Sequence, residues 1–329
     1  MVTVQYAGAH TLVQDLGRDG HYAIGLPPSG ALDQFSHRCA NLLVGNHSAA
    51  ATLEVTMVGP KLRFDAPAYV AVAGGDAPVW IDDVLHDTWM TLYVESGQTL
   101  TVGTLRTGCR AYIAIRGGID SPPFLGSRST YVSSAIGGLH GTPIVIGDHL
   151  PIGTEMAHDC PGPGSTVDDR LRPTLSCHYQ IRVVEGLCHY RFDENSIERF
   201  FTSTFTVSPV SDRTGYRLSG PSLTFVEREP PFGAGDNPSN VVDLGYPMGS
   251  IQIPNGEEPI CLLRDAVTGG GYAPIGTIIN CDLDLVGQMK APDAIQFVRV
   301  TLTDALSARK RQNQRMQDVK FGLKLLSLF

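Results

Sequence analysis

Short stretches in which apolar and polar residues alternate recur along the first half of the chain, separated by turn residues. The clearest are 68–74 (AYVAVAG), 89–94 (WMTLYV), 98–103 (QTLTVG) and 110–118 (RAYIAIRGG). Alternation of this kind sends successive side chains to opposite faces of a strand. The pattern predicts an antiparallel sheet with one buried face.

Two stretches follow a helical period instead. In LDQFSHRCANLLVG (32–45), Phe35, Cys39 and Leu42 fall on one stripe, and Gly45 stands where a helix commonly ends. The tail from Thr303 also follows a helical pattern and is rich in Lys and Arg. For this tail, docking on the protein body is favoured over lying on a membrane surface.

Length and composition favour two domains. The chain has 329 residues, 42% of them hydrophobic, and single cores stop growing at about 250–300 residues. A Pro- and Gly-rich linker at 161–174 separates an N-terminal domain at 1–160 from a C-terminal domain at 175–304, and a helical tail follows at 305–329. GPKLRF at 59–64 is echoed by GPSLTF at 220–225, which hints at two related β-barrels.

Charge and cysteine usage narrow the function classes. A formal net charge of -8 argues against binding to nucleic acid or an anionic membrane. No apolar run reaches the ~18 residues of a membrane span. Seven cysteines without CxxC spacing, and a start without a charged-then-apolar leader, favour a reduced, cytoplasmic protein without a metal site. The adjacent Cys188 and His189 have no second Cys/His pair nearby and stay unassigned.

The glycine run in DAVTGGGYAPIG (265–276) raises the question of phosphate binding. Glycines let main-chain N–H groups approach an anion closely. A nucleotide-binding P-loop needs Lys and then Ser or Thr directly after the last glycine, whereas Tyr272 and Ala273 follow here. A tight turn between two strands is therefore the favoured interpretation.

Four loops combine the groups that bind a carboxylate, amide or phosphate. They are QDLGRDG (14–20), GSRSTY (126–131), SDRTGYRL (211–218) and the glycine run. Arginine with hydroxyls and glycine can form forked hydrogen bonds to an anion. An arginine beside Ser and Asp can equally tie down its own loop, and both interpretations stay open here.

Taken together, the motifs resemble a known family. They are, in chain order, QDLGRDGHYAIGLPPSGALDQFSHRCANLLVGN, LEVTMVGPKLRF, LGSRSTYVSSAIGGLHG, GDHLPIG, SPVSDRTGYRLSGP, GSIQIP and TGGGY. The sequence resembles the biotin-dependent carboxyltransferase-like family from about Val4 to Val300. That family includes allophanate hydrolase subunit 2, the C subunit of 5-oxoprolinase, the kinase-inhibitor antagonist protein and the carboxyltransferase domain of urea carboxylase.

The resemblance implies a mostly β fold, with two cyclophilin-like β-barrel subdomains and a few short helices. It also implies a subunit of a multi-component, ATP-dependent enzyme that opens an amide or lactam, most like the C subunit of 5-oxoprolinase. ATP would act at the level of the complex, beside companions that resemble the B and A subunits of 5-oxoprolinase. The alternatives are a carboxyltransferase component served by biotin on a partner, acting on a urea or amide, and a binding partner that antagonises a kinase inhibitor.

Site residues carry over from the family motifs. The catalytic candidates are Asp212, Arg213, Arg217, Gln252 and Tyr272, and the substrate-binding candidates are Asp15, Arg18, Ser127, Arg128, Ser129, Ser211, Tyr216, Gly270 and Gly271. If SDRTGYRL enters a strand, Arg213 and Arg217 lie four apart on one face and converge on one anion. Ser36 and His37 are adjacent helix positions that point apart, so the chain offers no complete nucleophile–base pair and is expected to be inactive alone.

Four positions depart from the family pattern. Pro274 stands where a lysine is usual, Val267 where a glutamine is usual, Leu244 where a glutamate is frequent, and Thr142 where an arginine is frequent. These departures imply a different substrate or a loss of activity.

Overall fold

The computed structural model describes residues 1–154, 159–229, 232–233 and 235–326. Residues 155–158, 230, 231, 234 and 327–329, which fall within the predicted domains and tail, lie outside the described residues. The chain divides into two compact units. The first contains residues 1–18, 29–175 and those from 313 onward, and the second contains 19–28 and 176–312.

Among its described residues, the first unit has eleven strands and one α-helix that lies wholly within it. The strands are β1 Val2–Tyr6, β2 His10–Gln14, β3 Thr52–Thr56, β4 Lys61–Phe64, β5 Ala68–Gly74, β6 Val79–Ile81, β7 Val84–His86, β8 Thr91–Val94, β9 Thr99–Val102, β10 Arg110–Ile115 and β11 His149–Leu150. They form a six-stranded sheet, β11-β1-β4-β9-β6-β7, and a five-stranded sheet, β2-β3-β10-β5-β8. The helix is α1, Gln34–Leu43.

The predicted stretches are strands, but they are not all in one sheet. The stretch at 68–74 is β5, which pairs antiparallel with β10 and β8, whereas the stretch at 98–103 contains β9 of the other sheet. The prediction of one buried face was wrong for the five-stranded sheet. Val72 and Ile113 pack into a core shared by residues of both sheets, while Ala71 and Tyr112 pack with residues of α1. Because a helix covers the second face, β10 is buried along its whole length.

The predicted helix near the start is confirmed as α1. Asp33 accepts a hydrogen bond from the N–H of Ser36 at 2.9 Å and so caps the helix start. Gly45 follows the end of α1 with φ of 73°, the left-handed conformation that glycine adopts readily. Phe35 and Cys39 of the predicted stripe are buried.

The described part of the second unit contains nine strands and two short α-helices. These are β12 His178–Glu185, β13 Thr204–Ser211, β14 Gly215–Ser219, β15 Asn240–Gly245, β16 Ser250–Gln252, β17 Ile260–Leu262, β18 Gly269–Tyr272, β19 Pro274–Ile278 and β20 Ala294–Arg299, with α2 Glu194–Thr202 and α3 Leu283–Gln288. Seven strands close a barrel in the order β12-β19-β16-β17-β14-β13-β20, and β15 pairs with β18 in a separate two-stranded sheet. The mostly β fold class and the barrel of the second half are confirmed.

Alternation along the barrel strands fills its interior. Ile181, Phe205 and Phe297 are buried, and the ring of Phe297 stacks on Phe200 of α2 with centroids 4.5 Å apart. In β14 the same alternation buries Tyr216 and leaves Arg217 exposed.

The hexapeptide echo does not mark equivalent strands. GPKLRF ends in β4, whereas GPSLTF has no strand and is held by a hydrogen bond from the N–H of Leu223 to the carbonyl of Gly256 at 2.6 Å. The echo was therefore wrong as evidence for a repeat. The predicted linker at 161–174 packs within the first unit, where Val167 is buried and Ser165 accepts a hydrogen bond from the N–H of Thr91 at 2.8 Å.

The tail forms helix α4, Leu302–Leu326. Met316, Val319 and Leu323 are buried in a cluster with Phe35 of α1. Arg315 lies 4.4 Å from the centroid of the Phe35 ring, which adds a cation–π contact. Docking of the tail on the protein body is thus confirmed.

Among the described residues, none of the helices combines the length and apolar character that crossing a membrane requires.

Candidate functional site

The candidate residues fall into two groups, one in each unit. The first group is Asp15, Arg18, Ser127, Arg128 and Ser129, and the second is Ser211, Asp212, Arg213, Tyr216, Arg217, Gln252, Gly270, Gly271 and Tyr272. Their roles in binding and catalysis stay predictions.

The Asp15 carboxylate accepts four hydrogen bonds, three of which join the first motif to the second. Its Oδ1 accepts from the hydroxyls of Ser127 at 2.6 Å and Ser129 at 2.5 Å, and from the N–H of Gly17 at 2.8 Å. Its Oδ2 accepts from the N–H of Arg128 at 2.6 Å. A carboxylate that accepts this many bonds organises its loop. Asp15, Ser127 and Ser129 therefore fix the geometry of this group.

Arg18 is embedded in the same loop. It is 2% exposed, donates from Nη2 to the carbonyl of Ser129, and lies 5.9 Å from the centroid of the Phe124 ring. Gly137, with φ of 68°, lets this guanidinium come close, since a Cβ there would lie 2.8 Å from Nη2. These contacts stabilise the loop, and the predicted role of Arg18 in substrate binding stays a prediction.

A cleft of about 660 Å³ lies beside this group. Asp15, Asp120 and Arg128 are among its lining residues. The Arg128 side chain is 34% exposed and pairs with Asp120. Of the two arginines in this group, Arg128 is the one that a ligand in the cleft could reach.

Asp212 shapes the turn that leads into β14. Its Oδ1 accepts hydrogen bonds from the N–H groups of Thr214 at 2.7 Å and Gly215 at 3.3 Å. This is the local side-chain to main-chain bonding that turns favour. Its neighbour Arg213 pairs with Asp265 instead, and the predicted catalytic role of Asp212 stays a prediction.

Arg213 and Arg217 have different acidic partners. The buried Arg213 donates from Nε to Asp265 at 2.8 Å and from Nη2 at 3.2 Å, while the half-exposed Arg217 pairs with Glu258 at 2.6 Å. The argument that placed both on one strand face was wrong, because β14 begins only at Gly215. A purely structural role requires an acidic partner for each arginine, and both partners are present. Their roles as anion clamps stay predictions.

A second cleft, of about 450 Å³, lies beside the Arg217 side chain. Ser211, Asp212 and Arg217 are among its lining residues. Tyr216 points the opposite way along β14, and its hydroxyl donates to the buried carbonyl of Met289 at 2.9 Å. Arg217 is therefore the accessible cation at this cleft, and Tyr216 stabilises the barrel.

The glycine run is a strand. Leu244 and Gly245 of β15 pair with Gly270 and Gly269 of β18. The predicted tight turn between strands was therefore wrong at these residues. A Cβ on Gly270 would lie 2.9 Å from Cε2 of Tyr246, so the missing side chain makes room for this ring.

Gly270→Ala is expected to destabilise the second unit by about 1–3 kcal/mol, the usual cost of overpacking. The reason is the contact with the Tyr246 ring, which must shift. The matched control is Gly269→Ala, whose Cβ would meet its nearest atom, the Leu244 oxygen, at an ordinary 3.5 Å. Urea unfolding of both variants measures the difference, and equal losses of stability would contradict the contact with Tyr246.

Tyr246 was missed at the level of sequence. It is 2% exposed, and its hydroxyl donates to the carbonyl of Tyr272 at 2.6 Å and accepts from the N–H of Tyr272 at 2.7 Å. Burial raises the pKa of this phenol. The available signal was its place between the departure at Leu244 and the GSIQIP motif, but nothing in that pattern identifies its partner.

The departures from the family pattern lie in different surroundings. Pro274 is buried and pairs in register with Gln252, whereas Val267 is 56% exposed. Leu244 packs partly buried against a small cluster that contains Tyr246, and Thr142 is exposed. The changes at Pro274 and Leu244 thus lie directly beside candidate site residues, Gln252 and Gly270 respectively.

Cys188 and His189 carry no sign of a catalytic pair. Burial raises the pKa of the Cys188 thiol, although Arg191 and Arg228 act in the opposite direction. Nδ1 of His189 contacts the carbonyl of Gly186 at 2.8 Å. Within the described ranges, no group of three or more His, Cys, Asp or Glu side chains could hold a metal ion.

Comparison with known proteins identifies relatives of two kinds. The chain is 36% identical to the urea amidolyase of Lachancea kluyveri over 96% of its own length, which is 18% of that protein. It is 35% identical to the C subunit of 5-oxoprolinase from Escherichia coli over 98% of this chain and 99% of that protein. This chain therefore spans under a fifth of the length of the urea amidolyase but nearly the whole of the 5-oxoprolinase subunit.

Solved structures agree with these relatives. The crystal structure of Kluyveromyces lactis urea carboxylase superposes with a TM-score of 0.92 at 35% identity, covering 97% of this chain and 29% of that chain. The family model for the carboxyltransferase domain, subdomain A and B, matches residues 24–299. The resemblance inferred from the motifs is confirmed, and the chain belongs to the carboxyltransferase-domain family of subdomains A and B.

Proposed function

We propose that this chain is a subunit of a multi-component, ATP-dependent enzyme that opens a small amide or lactam, most like the C subunit of 5-oxoprolinase. The observation that carries the proposal is the 35% identity to that subunit of the E. coli enzyme over 98% of this chain. The companions would resemble the B and A subunits of that system. Its product from 5-oxoproline would be glutamate.

The chemistry available in the two clefts supports this proposal. Opening a lactam builds negative charge on the carbonyl oxygen, and fixed cations and N–H donors stabilise such charge. Arg128 and Arg217 supply accessible guanidinium groups at the two clefts. Gln252, a further candidate, supplies an amide group that can bind a carbonyl oxygen or an amide N–H.

The glycine strand does not fit a nucleotide phosphate. Gly269, Gly270 and Gly271 are part of a strand paired with β15, and no lysine follows them. A phosphate cradle needs N–H groups that converge on one anion. We therefore assign ATP to the complex and assign none of its contacts to these glycines.

The second candidate function is a carboxyltransferase component of a biotin-dependent urea or amide carboxylase, with biotin carried by a partner. The superposition on K. lactis urea carboxylase with a TM-score of 0.92 favours it. Both reactions use a small, nitrogen-containing carbonyl compound, but lactam opening adds water at its carbonyl carbon, whereas carboxyl transfer takes place at its nitrogen. The two candidates differ in the partner and in the product.

The test is reconstitution of this chain with companion subunits of each kind. With B-like and A-like subunits, ATP and 5-oxoproline, glutamate release is expected only when this chain is present. If glutamate is released at the same rate without this chain, the leading candidate is ruled out. Transfer of labelled bicarbonate to urea, with a biotin carboxylase and a biotin carrier in place of those subunits, would establish the second.

Arg217→Lys is expected to lower the activity of the assembled complex about ten-fold or more, about 1.4 kcal/mol of transition-state binding. Lysine keeps the charge but loses the bidentate fork. Stability should change by less than about 1 kcal/mol, because exposed ion pairs contribute little. Activity and thermal melting measure the two effects.

The matched control is Arg299→Lys. Arg299 has a similarly exposed side chain, 46% against 45%, and pairs with Glu185 at 3.2 Å. It is not among the lining residues of either cleft. An equal loss of activity in both variants would assign the effect to the loss of any exposed, ion-paired guanidinium and contradict a ligand role for Arg217.

A further inference from the structure

The hydroxyl of Tyr246 binds both main-chain groups of Tyr272. It donates to the carbonyl at 2.6 Å and accepts from the N–H at 2.7 Å. A phenol carries a single proton, and here the Tyr272 carbonyl receives it. Toward every other group, Tyr246 can act only as an acceptor.

The Gln252 side chain is the other group at this hydroxyl. Gln252 pairs with Pro274, two residues beyond Tyr272, and is 5% exposed. Its side chain hydrogen-bonds to Tyr246 and acts against the rise that burial causes in the pKa of the phenol. Because Tyr246 has no proton left to donate, the Gln252 amide must present its N–H group there. Its carbonyl oxygen is thereby turned away from Tyr246.

The β15–β18 sheet depends on such anchors. Two paired strands are only marginally stable by themselves. Contacts at the start of β15 and the end of β18 therefore contribute to the stability of this sheet. Arg191, 3% exposed, donates to the carbonyls of Asn240 at 2.6 Å and Pro238 at 3.1 Å near the start of β15. Tyr246 holds the end of β18, where Gly270 leaves room for its ring.

We propose that Tyr246 is a positioning residue that sets the amide orientation of Gln252 and the place of Tyr272. The inference rests on the proposed function and on the prediction from the family motifs that Gln252 and Tyr272 contact the substrate. Without the hydroxyl, the Gln252 amide can rotate by half a turn and exchange an acceptor for a donor. A substrate N–H, as in a lactam, amide or urea, would then meet an N–H instead of an oxygen.

The contact itself is tested by hydrogen exchange on Tyr246→Phe, which keeps the ring and removes the hydroxyl. Exchange at the Tyr272 N–H is expected to become about ten-fold faster or more, since this N–H loses its acceptor. The control is Tyr179→Phe in β12, whose hydroxyl accepts from the N–H of Ser176 at 3.3 Å. That variant should leave exchange at Tyr272 unchanged. Unaltered exchange at Tyr272 in Tyr246→Phe overturns the inference.

The positioning role is tested in the assembled complex by a double-mutant cycle. Tyr246→Phe is expected to lower kcat about ten-fold and to change KM by less than about two-fold. When Tyr246→Phe is added to Gln252→Ala, kcat is expected to fall by less than about a further two-fold. Additive losses would make Tyr246 merely structural and overturn the inference. If Gln252→Ala alone leaves kcat unchanged, the proposed site fails and the inference with it. If kcat is normal in Tyr246→Phe and lowered in Gln252→Ala, the inference is overturned while the proposed site stands.

Discussion

Asp265→Asn is expected to destabilise the second unit by about 3–5 kcal/mol, the cost of removing one partner of a buried ion pair. Asp265 is 6% exposed and receives two hydrogen bonds from the guanidinium of Arg213, at 2.8 and 3.2 Å. Asparagine keeps the size of the side chain and removes the charge. The guanidinium of Arg213 would then stay buried without the countercharge of Asp265. Urea unfolding monitored by circular dichroism measures the loss.

The control for burial is Glu258→Gln, which removes the charge that faces Arg217. The two side chains of that pair are 45% and 41% exposed, so solvent screens the interaction. The expected loss is below about 1 kcal/mol. Similar losses in Asp265→Asn and Glu258→Gln would show that burial does not set the strength of these pairs.

Unfolding and activity together also decide the role of Arg213. Arg213→Lys keeps the charge but gives up the two-pronged contact with Asp265. A proportionate loss of stability and activity would make Arg213 structural. Near-normal stability with activity about ten-fold lower would instead support the predicted anion clamp.

Local patterns predicted the secondary structure well and its surroundings less well. The alternation in AYVAVAG coincides with β5, because a strand period is written into consecutive residues. The cover on both faces of β5 depends on α1, which lies more than twenty residues earlier. No local period carries that information, so the one-sided sheet was wrong.

The residues of the candidate site could likewise be predicted only in part. The motifs named Asp15, Ser127 and Ser129, and their hydroxyl–carboxylate contacts join positions 112 and 114 residues apart. Partners that lie outside the family motifs could not be predicted. Asp265 lies 52 residues from Arg213, and Tyr246 stands 26 residues from Tyr272. Each of these pairings is made by the folding of the barrel and its two-stranded sheet, not by spacing.

The isolated chain is expected to show no turnover of 5-oxoproline above background, against full activity in the assembled complex. The hydroxyls of Ser127 and Ser129 donate to Asp15, and that of Ser36 donates to Asp33 at 2.6 Å. Nδ1 of His37 lies 3.0 Å from the Thr52 hydroxyl, so Ser36 and His37 have separate partners, as their helix positions predicted. Each of these hydroxyls thus donates to a carboxylate that holds its own loop or helix start, and not to a histidine, the base that activates serine in the usual triad. Glutamate release by the purified chain measures the expectation.

Cys177 provides the control for this expectation. Its sulfur lies 3.2 Å from Nδ1 of His178, and the thiol is exposed, so this contact could give slow chemistry of its own. Any residual activity should vanish in Cys177→Ser if it arises there, while the assembled complex keeps its rate. Turnover by the isolated chain at a rate matching the complex would contradict the expectation. The nucleophile would then belong to this chain rather than to its partners.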